Sequence, residues 1–365
     1  MAYNILLISL TIIIISVFIT LFVYDSFESI LASAVILIIL SYLIVLSLDK
    51  LTVYNVSTIK EGFINSTEEN IEEPTEQINK ENESESEAKK SKYEWLVNED
   101  LFDDFYASVF TKLTQNEKLI QAEAAICMEE FTKKTPKDQL IVLDAGCGIG
   151  IATTSFAKQD AGSIVGIDRS PAMIRFAKNT TLPSTTLTET QRQNVEFRER
   201  DLIGPGAAVG AEFTDACLLY FTVYYFQDLD MLFRNMALWV KPGGTLAIEV
   251  VNKYKFEPIL DSANQWVGFS PQKYSKERIT KSKVVFDKFE YEAVFDLDDP
   301  RAEFRETFRF KDGSVRRQKH ILYMPPIQEI VQKAQRNGWT YTKYVDLTPI
   351  SFPYGYILFF NRNPE

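Results

Sequence analysis

Apolar and polar positions divide this chain into three parts. Ile5 to Val23 and Ile30 to Leu48 are continuous apolar runs without a charge. At about 1.5 Å per helical residue, each is long enough to cross a hydrocarbon core of roughly 30 Å. The pattern predicts a transmembrane hairpin within residues 1–54. A signal peptide is the competing reading, but nothing basic precedes the first run, no small-residue cleavage site follows it, and a second run comes within a few residues. From Glu61 to Glu87 aliphatic residues almost vanish, and so little apolar surface cannot offset the entropy of ordering; residues 55–92 are expected to be a solvated tether.

From Tyr93 onward the periodicity is that of a folded domain, expected over residues 93–365. "LFDDFYASVFTKLTQNEKLIQAEAAICMEEF" reads as one or two amphipathic helices, after which short apolar runs alternate with helical stretches. The expected order is strand Leu140–Ala145, helix Ile151–Gln159, strand Ser163–Ile167, helix Pro171–Lys178, strand Asn194–Phe197, strand Thr214–Tyr220, helix Asp228–Val240 and strand Thr245–Val251. A long insertion, Asn252 to Met324, precedes helix Pro326–Asn337 and strands Trp339–Asp346 and Gly355–Phe360. Such alternation is the mark of a parallel sheet covered by helices. Inside the insertion, "VVFDKFEYEAVFDL", "AEFRETFRFKDGS" and "VRRQKHILYM" alternate with period two around a Lys-Asp-Gly turn, which predicts an antiparallel flap.

Charge changes the picture in one respect. The formal net charge is −11, but ten glutamates against one lysine between Glu61 and Glu87 account for most of it. The rest is near neutral, without the basic excess of a general nucleic-acid binder, so no nucleic-acid partner is expected. Tyr24–Ser29 carries Asp25 and Glu28 and no base, whereas Lys50 and Lys60 follow the second run; positive-inside asymmetry then places both termini in the cytosol. The expected localisation is thus an integral membrane protein with a cytosolic catalytic domain. Cys127, Cys147 and Cys217 are too few and scattered for a disulfide framework, in keeping with a reducing compartment. The triplets at Asn55, Asn65 and Asn82 carry no meaning on the cytosolic side.

The candidate chemistry begins at "VLDAGCGIG". A strand running into Gly146, Gly148 and Gly150 and then a helix lets a ligand lie against bare backbone at a helix N-terminus. The spacing is G-x-G-x-G, and Asp144 before it disfavours a pyrophosphate while welcoming a cation. Asp168 ends the next strand about 20 residues beyond the turn, where a carboxylate can accept both hydroxyls of a ribose. Ser170 before Pro171 fills the helix-cap role instead of Asp168.

With these stretches the chain resembles the class I S-adenosylmethionine-dependent methyltransferases over roughly residues 93 to 362. "VLDAGCGIG", "VGIDRS", "FRERDL", "FTDACLLYF" and "WVKPGGTLAIEV" look like their first five motifs, in order. The resemblance implies an α/β, Rossmann-like sheet of seven strands with S-adenosylmethionine as cofactor. It implies that Gly146, Gly148 and Gly150 line the cofactor, Asp144 lies near its methionine end, Asp168 holds the ribose, and Arg169 and Met173 flank the adenine. Asp201 would accept from the adenine amino group with Leu202 beside it, and Tyr220 would sit near the sulfonium. "YFTVYY" and "HILYMPP" are also similar to methyltransferases of large DNA viruses, which says nothing about substrate.

Pattern alone names no catalytic residue. The candidates are Tyr224 and Tyr225, where the chain leaves the sheet and π-faces can attract a cation, and His320, the one histidine. The expected partner is a small-molecule methyl acceptor, chosen by the lid-like insertion; a protein or nucleic-acid acceptor, or a cofactor-binding adaptor without turnover, are the alternatives. Lys273, Lys276, Arg278, Lys281 and Lys283 form a cationic cluster, read as a solvated face or a contact for anionic headgroups or an acidic substrate.

Overall fold

The computed structural model describes residues 95–364 except 115, 205 and 259–277. The chain divides into two units, Met1–Ser84 and Glu85–Glu365, and every described residue belongs to the second. The expected hairpin and tether lie outside the described residues. Among the described residues no helix is long and apolar enough to cross a membrane.

Short helical turns apart, the elements are β1 (Trp95–Val97), α1 (Asp104–Thr114), α2 (Glu117–Phe131), β2 (Ile141–Ala145), α3 (Ile151–Lys158), β3 (Ser163–Asp168), α4 (Pro171–Phe176), β4 (Val195–Glu199) and β5 (Phe213–Leu218). They continue with α5 (Leu229–Trp239), β6 (Val240–Val251), β7 (Lys281–Val285), β8 (Phe289–Asp298), β9 (Arg301–Phe310), β10 (Val315–Tyr323), α6 (Ile327–Arg336), β11 (Trp339–Asp346) and β12 (Gly355–Arg362). Seven strands form one sheet in the order β11-β12-β6-β5-β2-β3-β4, parallel from β6 to β4, with β12 antiparallel to both neighbours. This is the expected Rossmann-like sheet. Both faces are covered, so the strands are apolar on both sides: Leu143, Ile248 and Phe360 belong to the core beneath α5 and α6, and Val142, Ala247 and Phe359 to the core beneath α2 and α3.

Local signals set the helix ends. Ser170 caps α4 by accepting from Met173 N–H with Pro171 in the first turn, and Asp228 caps α5 by accepting from Met231 N–H. α6 ends at Asn337 and at Gly338, whose φ of +90° is open to glycine. β6 begins before its expected start, because Lys241–Gly244 forms a bulge in its pairing with β5 rather than a separate turn.

The insertion is the expected antiparallel flap, with two differences. "VVFDKFEYEAVFDL" is two strands, β7 and β8, joined by a turn in which Phe286 N–H donates to Phe289 O. The second sheet also has five strands in the order β1-β10-β9-β8-β7, because Trp95–Val97 adds in parallel to the free edge of β10. A three-residue strand shows no periodicity; the unpaired edge of β10 recruits it.

Candidate functional site

The strand order reverses at β2, which has β3 on one side and β5 on the other, and ligands of such sheets bind beyond the carboxyl ends at that point. The glycine turn stands there. Gly146 N–H and Cys147 N–H both donate to Ile167 O, tying the turn to β3. The three glycines share positive φ but do different work. A Cβ on Gly146 would lie 2.4 Å from Thr222 Cγ2 and one on Gly150 2.7 Å from Phe197 Cζ, whereas one on Gly148 would meet nothing within 4 Å. Gly146 and Gly150 are held to glycine by their neighbours; Gly148 presents bare backbone to open space, the surface a ligand needs.

Asp168 faces that surface, half-buried at the end of β3. Its Oδ2 accepts from Gly148 N–H at 2.9 Å and its Oδ1 from Ser170 N–H at 2.8 Å. Burial raises its pKa, and these two N–H groups oppose the rise. Each oxygen keeps a further lone pair, so the residue fits a ribose diol as well as the turn. Arg169 is exposed and pairs with Glu99 at 2.6 Å, while Ser170 Oγ donates to Phe102 O, so the segment before α1 straps the end of β3.

Other expected site residues occupy different surroundings. Asp144 is not at the mouth of the turn but beneath it, 2% exposed, with Oδ2 accepting from Thr153 Oγ1 at 2.6 Å. Burial pushes its pKa up to about 6 and the Thr153 bond opposes this, so it anchors α3 under the turn rather than meeting a ligand's charge directly. Met173 and Leu202 are buried in the two cores. Asp201 is exposed, its Oδ1 accepting from Ile203 N–H and thereby shaping the turn after β4. Tyr220 and the next residue, Phe221, both lie in the left-handed region, with φ +48° and +60°, at the end of β5. Consecutive non-glycine residues there are strained, a feature that concentrates at functional sites.

Tyr224 is fully buried. Its hydroxyl accepts from Val251 N–H at 2.8 Å, so it pins the end of β6 and does not face a substrate. Burial raises its pKa. Tyr225 and His320 do come together: Tyr225 Oη lies 2.7 Å from His320 Nδ1. On the other side of the ring His320 Nε2 lies 2.7 Å from Glu306 Oε2 and 3.3 Å from Tyr106 Oη. Glu306 is wholly inaccessible and accepts from Tyr291 Oη and Gln318 Nε2, each at 2.6 Å. A carboxylate only accepts, so Nε2 carries the imidazole proton and Nδ1 presents a lone pair to Tyr225. Burial, then Glu306, holds the Tyr225 hydroxyl above its ordinary pKa and so protonated. Phe102 closes the group with edge contacts to Tyr106, Tyr225 and His320.

Sequence reasoning passed over Glu306. The signal was present: in "AEFRETFRF" the inward positions of β9 are Ala302, Phe304, Glu306 and Phe308, and an acid among them needs partners. A buried pair of acids lies under Tyr220, where Glu249 of β6 accepts from Tyr220 N–H and faces Glu123 of α2. Among the described residues no group of three acids, cysteines or histidines is placed to hold a metal ion. Burial pushes Glu249 from 4.5 up to about 7, and burial and then Glu249 raise Glu123. The folded state therefore holds more protons than the unfolded one above about pH 4.5, and stability falls as pH rises from there through about 7. Glu249→Gln, which keeps an acceptor for Tyr220, should make that decline shallower; equal declines in thermal melts of both proteins would refute it.

Comparisons with known proteins agree with this fold. A family described as "Methyltransferase domain" matches residues 116–344. Phosphoethanolamine N-methyltransferase 1 of Zea mays is 33% identical over 121 residues, covering 33% of this chain and 22% of that protein. The Arabidopsis thaliana enzyme of the same name is 33% identical over 121 residues, 33% of this chain and 23% of that protein. The matches thus span about a fifth of those relatives. The CcbJ methyltransferase structure from Streptomyces caelestis superposes with a TM-score of 0.53 at 13% identity, covering 73% of this chain and 100% of that one, a likeness of fold.

Proposed function

The chain belongs to the methyltransferase domain family and is an S-adenosylmethionine-dependent methyltransferase, and on that premise we propose that it methylates an amine of a small molecule at the cytosolic face of a membrane. The observation that carries this reading is the relay Tyr225–His320–Glu306, in which Tyr225, of the helical turn that follows the strained end of β5, meets His320 and Glu306 of the lid sheet. The cofactor, when bound, supplies an electrophilic methyl group, and the open backbone at Gly148 with the carboxylate of Asp168 fits its nucleoside end. An amine is protonated near neutral pH and has no lone pair to attack with. Tyr225 Oη takes its proton as the phenol's own proton moves to His320 Nδ1, and Glu306 stabilises the imidazolium. Phe102, Phe221 and Phe304 keep the surroundings apolar, which favours a neutral amine over an ammonium. Small-molecule acceptors suit a site covered by a lid, and the names of the plant relatives agree with an N-methylation.

The membrane part rests on the two apolar runs of residues 5–48. The test uses full-length protein in vesicles, the fragment from Tyr93 and labelled cofactor, with products of extracted small molecules read by mass. A methyl gain on nitrogen is expected from both proteins, with full-length protein faster on substrates held at the vesicle surface, through effective concentration. Methylation of protein or nucleic acid alone would sink the acceptor class, and equal rates on vesicle-bound substrates would sink the tether.

A further inference from the structure

Among the described residues Arg278 is a cation without an acid. Its guanidinium lies over the rings of Phe256 and Phe295, with Cζ 4.9 and 5.2 Å from their centroids. Nη2 donates to Phe256 O at 2.9 Å, and Nε is buried with no partner. Among the described residues no carboxylate reaches it, whereas Arg169, Arg198, Arg305, Arg316 and Arg336 each form an ion pair. Burial lowers its pKa and nothing in its surroundings opposes this. A half-buried charge with, among the described residues, one of five donors in use is costly to keep unless something anionic meets it.

Its position says what that would be. Phe256 contacts Phe221, of the strained turn, at 5.6 Å between centroids, and Phe295 pairs in register with Phe304, whose ring lies 5.7 Å from His320. Arg278 and the Tyr225–His320 relay therefore stand at two ends of one aromatic wall. We propose that Arg278 is the receptor for an anionic group of the acceptor, a phosphate or a carboxylate, whose other end carries the nucleophile. The planar fork matches either anion through two parallel hydrogen bonds, and the two rings hold the guanidinium plane. The identity of the nucleophile as an amine rests on the reading above; the anion site does not.

The test needs no turnover, so its failure is separable from failure of the amine reading. Thermal melts of full-length protein in detergent are followed against inorganic phosphate and against acetate, with chloride keeping ionic strength constant. A saturable rise in Tm is expected for the wild type, with apparent affinity about ten- to a hundredfold weaker in Arg278→Gln and partly kept in Arg278→Lys. A rise with phosphate alone identifies a phosphoryl group, and a rise with acetate as well identifies a carboxylate-tolerant site. No rise with either anion, or the same rise in Arg278→Gln, overturns the proposal. With acidic amines as acceptors, Arg278→Lys should raise KM and leave kcat near the wild-type value; an unchanged KM counts against it.

Discussion

His320→Gln is expected to slow methylation by about a hundred- to ten-thousandfold while leaving cofactor affinity unchanged. Glutamine can still donate to Glu306 but cannot take the proton that Tyr225 passes on, so the fold keeps its hydrogen bond and the relay loses its acceptor. The deficit should narrow as pH approaches the acceptor ammonium's own pKa, because the amine then arrives neutral and needs no base. Single-turnover rates across pH, with calorimetry of cofactor binding, decide the matter. A uniform deficit at every pH would assign His320 to structure instead. Glu306→Leu is the structural counterpart: it strands the donors of Tyr291, Gln318 and His320 in a buried site and should cost about 3–5 kcal/mol of stability.

The second large effect separates packing from ligand contact within a single turn. Gly150→Ala places a methyl group against the Phe197 ring at φ +81°, combining about 1–2 kcal/mol of left-handed strain with about 1–3 kcal/mol of overpacking. Gly148→Ala meets no neighbour, so only the strain of about 1–2 kcal/mol remains. Its methyl group does stand where the cofactor would approach, so affinity for S-adenosylmethionine should fall at least about tenfold, while the melting temperature falls less than in Gly150→Ala. Denaturant melts and calorimetry of both variants make the comparison. Gly148→Ala with wild-type affinity would remove the open face of the turn from the cofactor site.

The two experiments address residues of very different legibility. The glycine turn is local: strand, turn and helix are consecutive, and residue spacing predicts backbone that only glycine can adopt. Asp168 was legible for the same reason, since it ends the next strand at the edge where that turn sits, and its bond to Gly148 follows from strand order. Tyr224 and Tyr225 were not separable by pattern. They are adjacent in a short helical turn, and which one meets the backbone of β6 and which meets the lid depends on the angle at which the chain leaves β5.

The sequence by itself determined the alternating strands and helices of residues 140–360, their caps, the glycine turn, the acid after it and the last hairpin of the insertion, at its Lys-Asp-Gly turn. All of these are fixed by neighbours within a few residues, through periodicity, capping and the sterics of φ. Tertiary structure decided the rest. β1 joins β10 across more than 200 residues, as the Trp95–Arg317 pairing shows, because an unpaired strand edge costs hydrogen bonds. Glu306 becomes a partner of His320 through the register of β9 and β10, and Asp144 moves from the expected mouth to the floor because Thr153 draws it under α3. Long-range contacts leave no spacing in the chain; they follow from which faces must be buried together and which polar groups, once buried, must find each other.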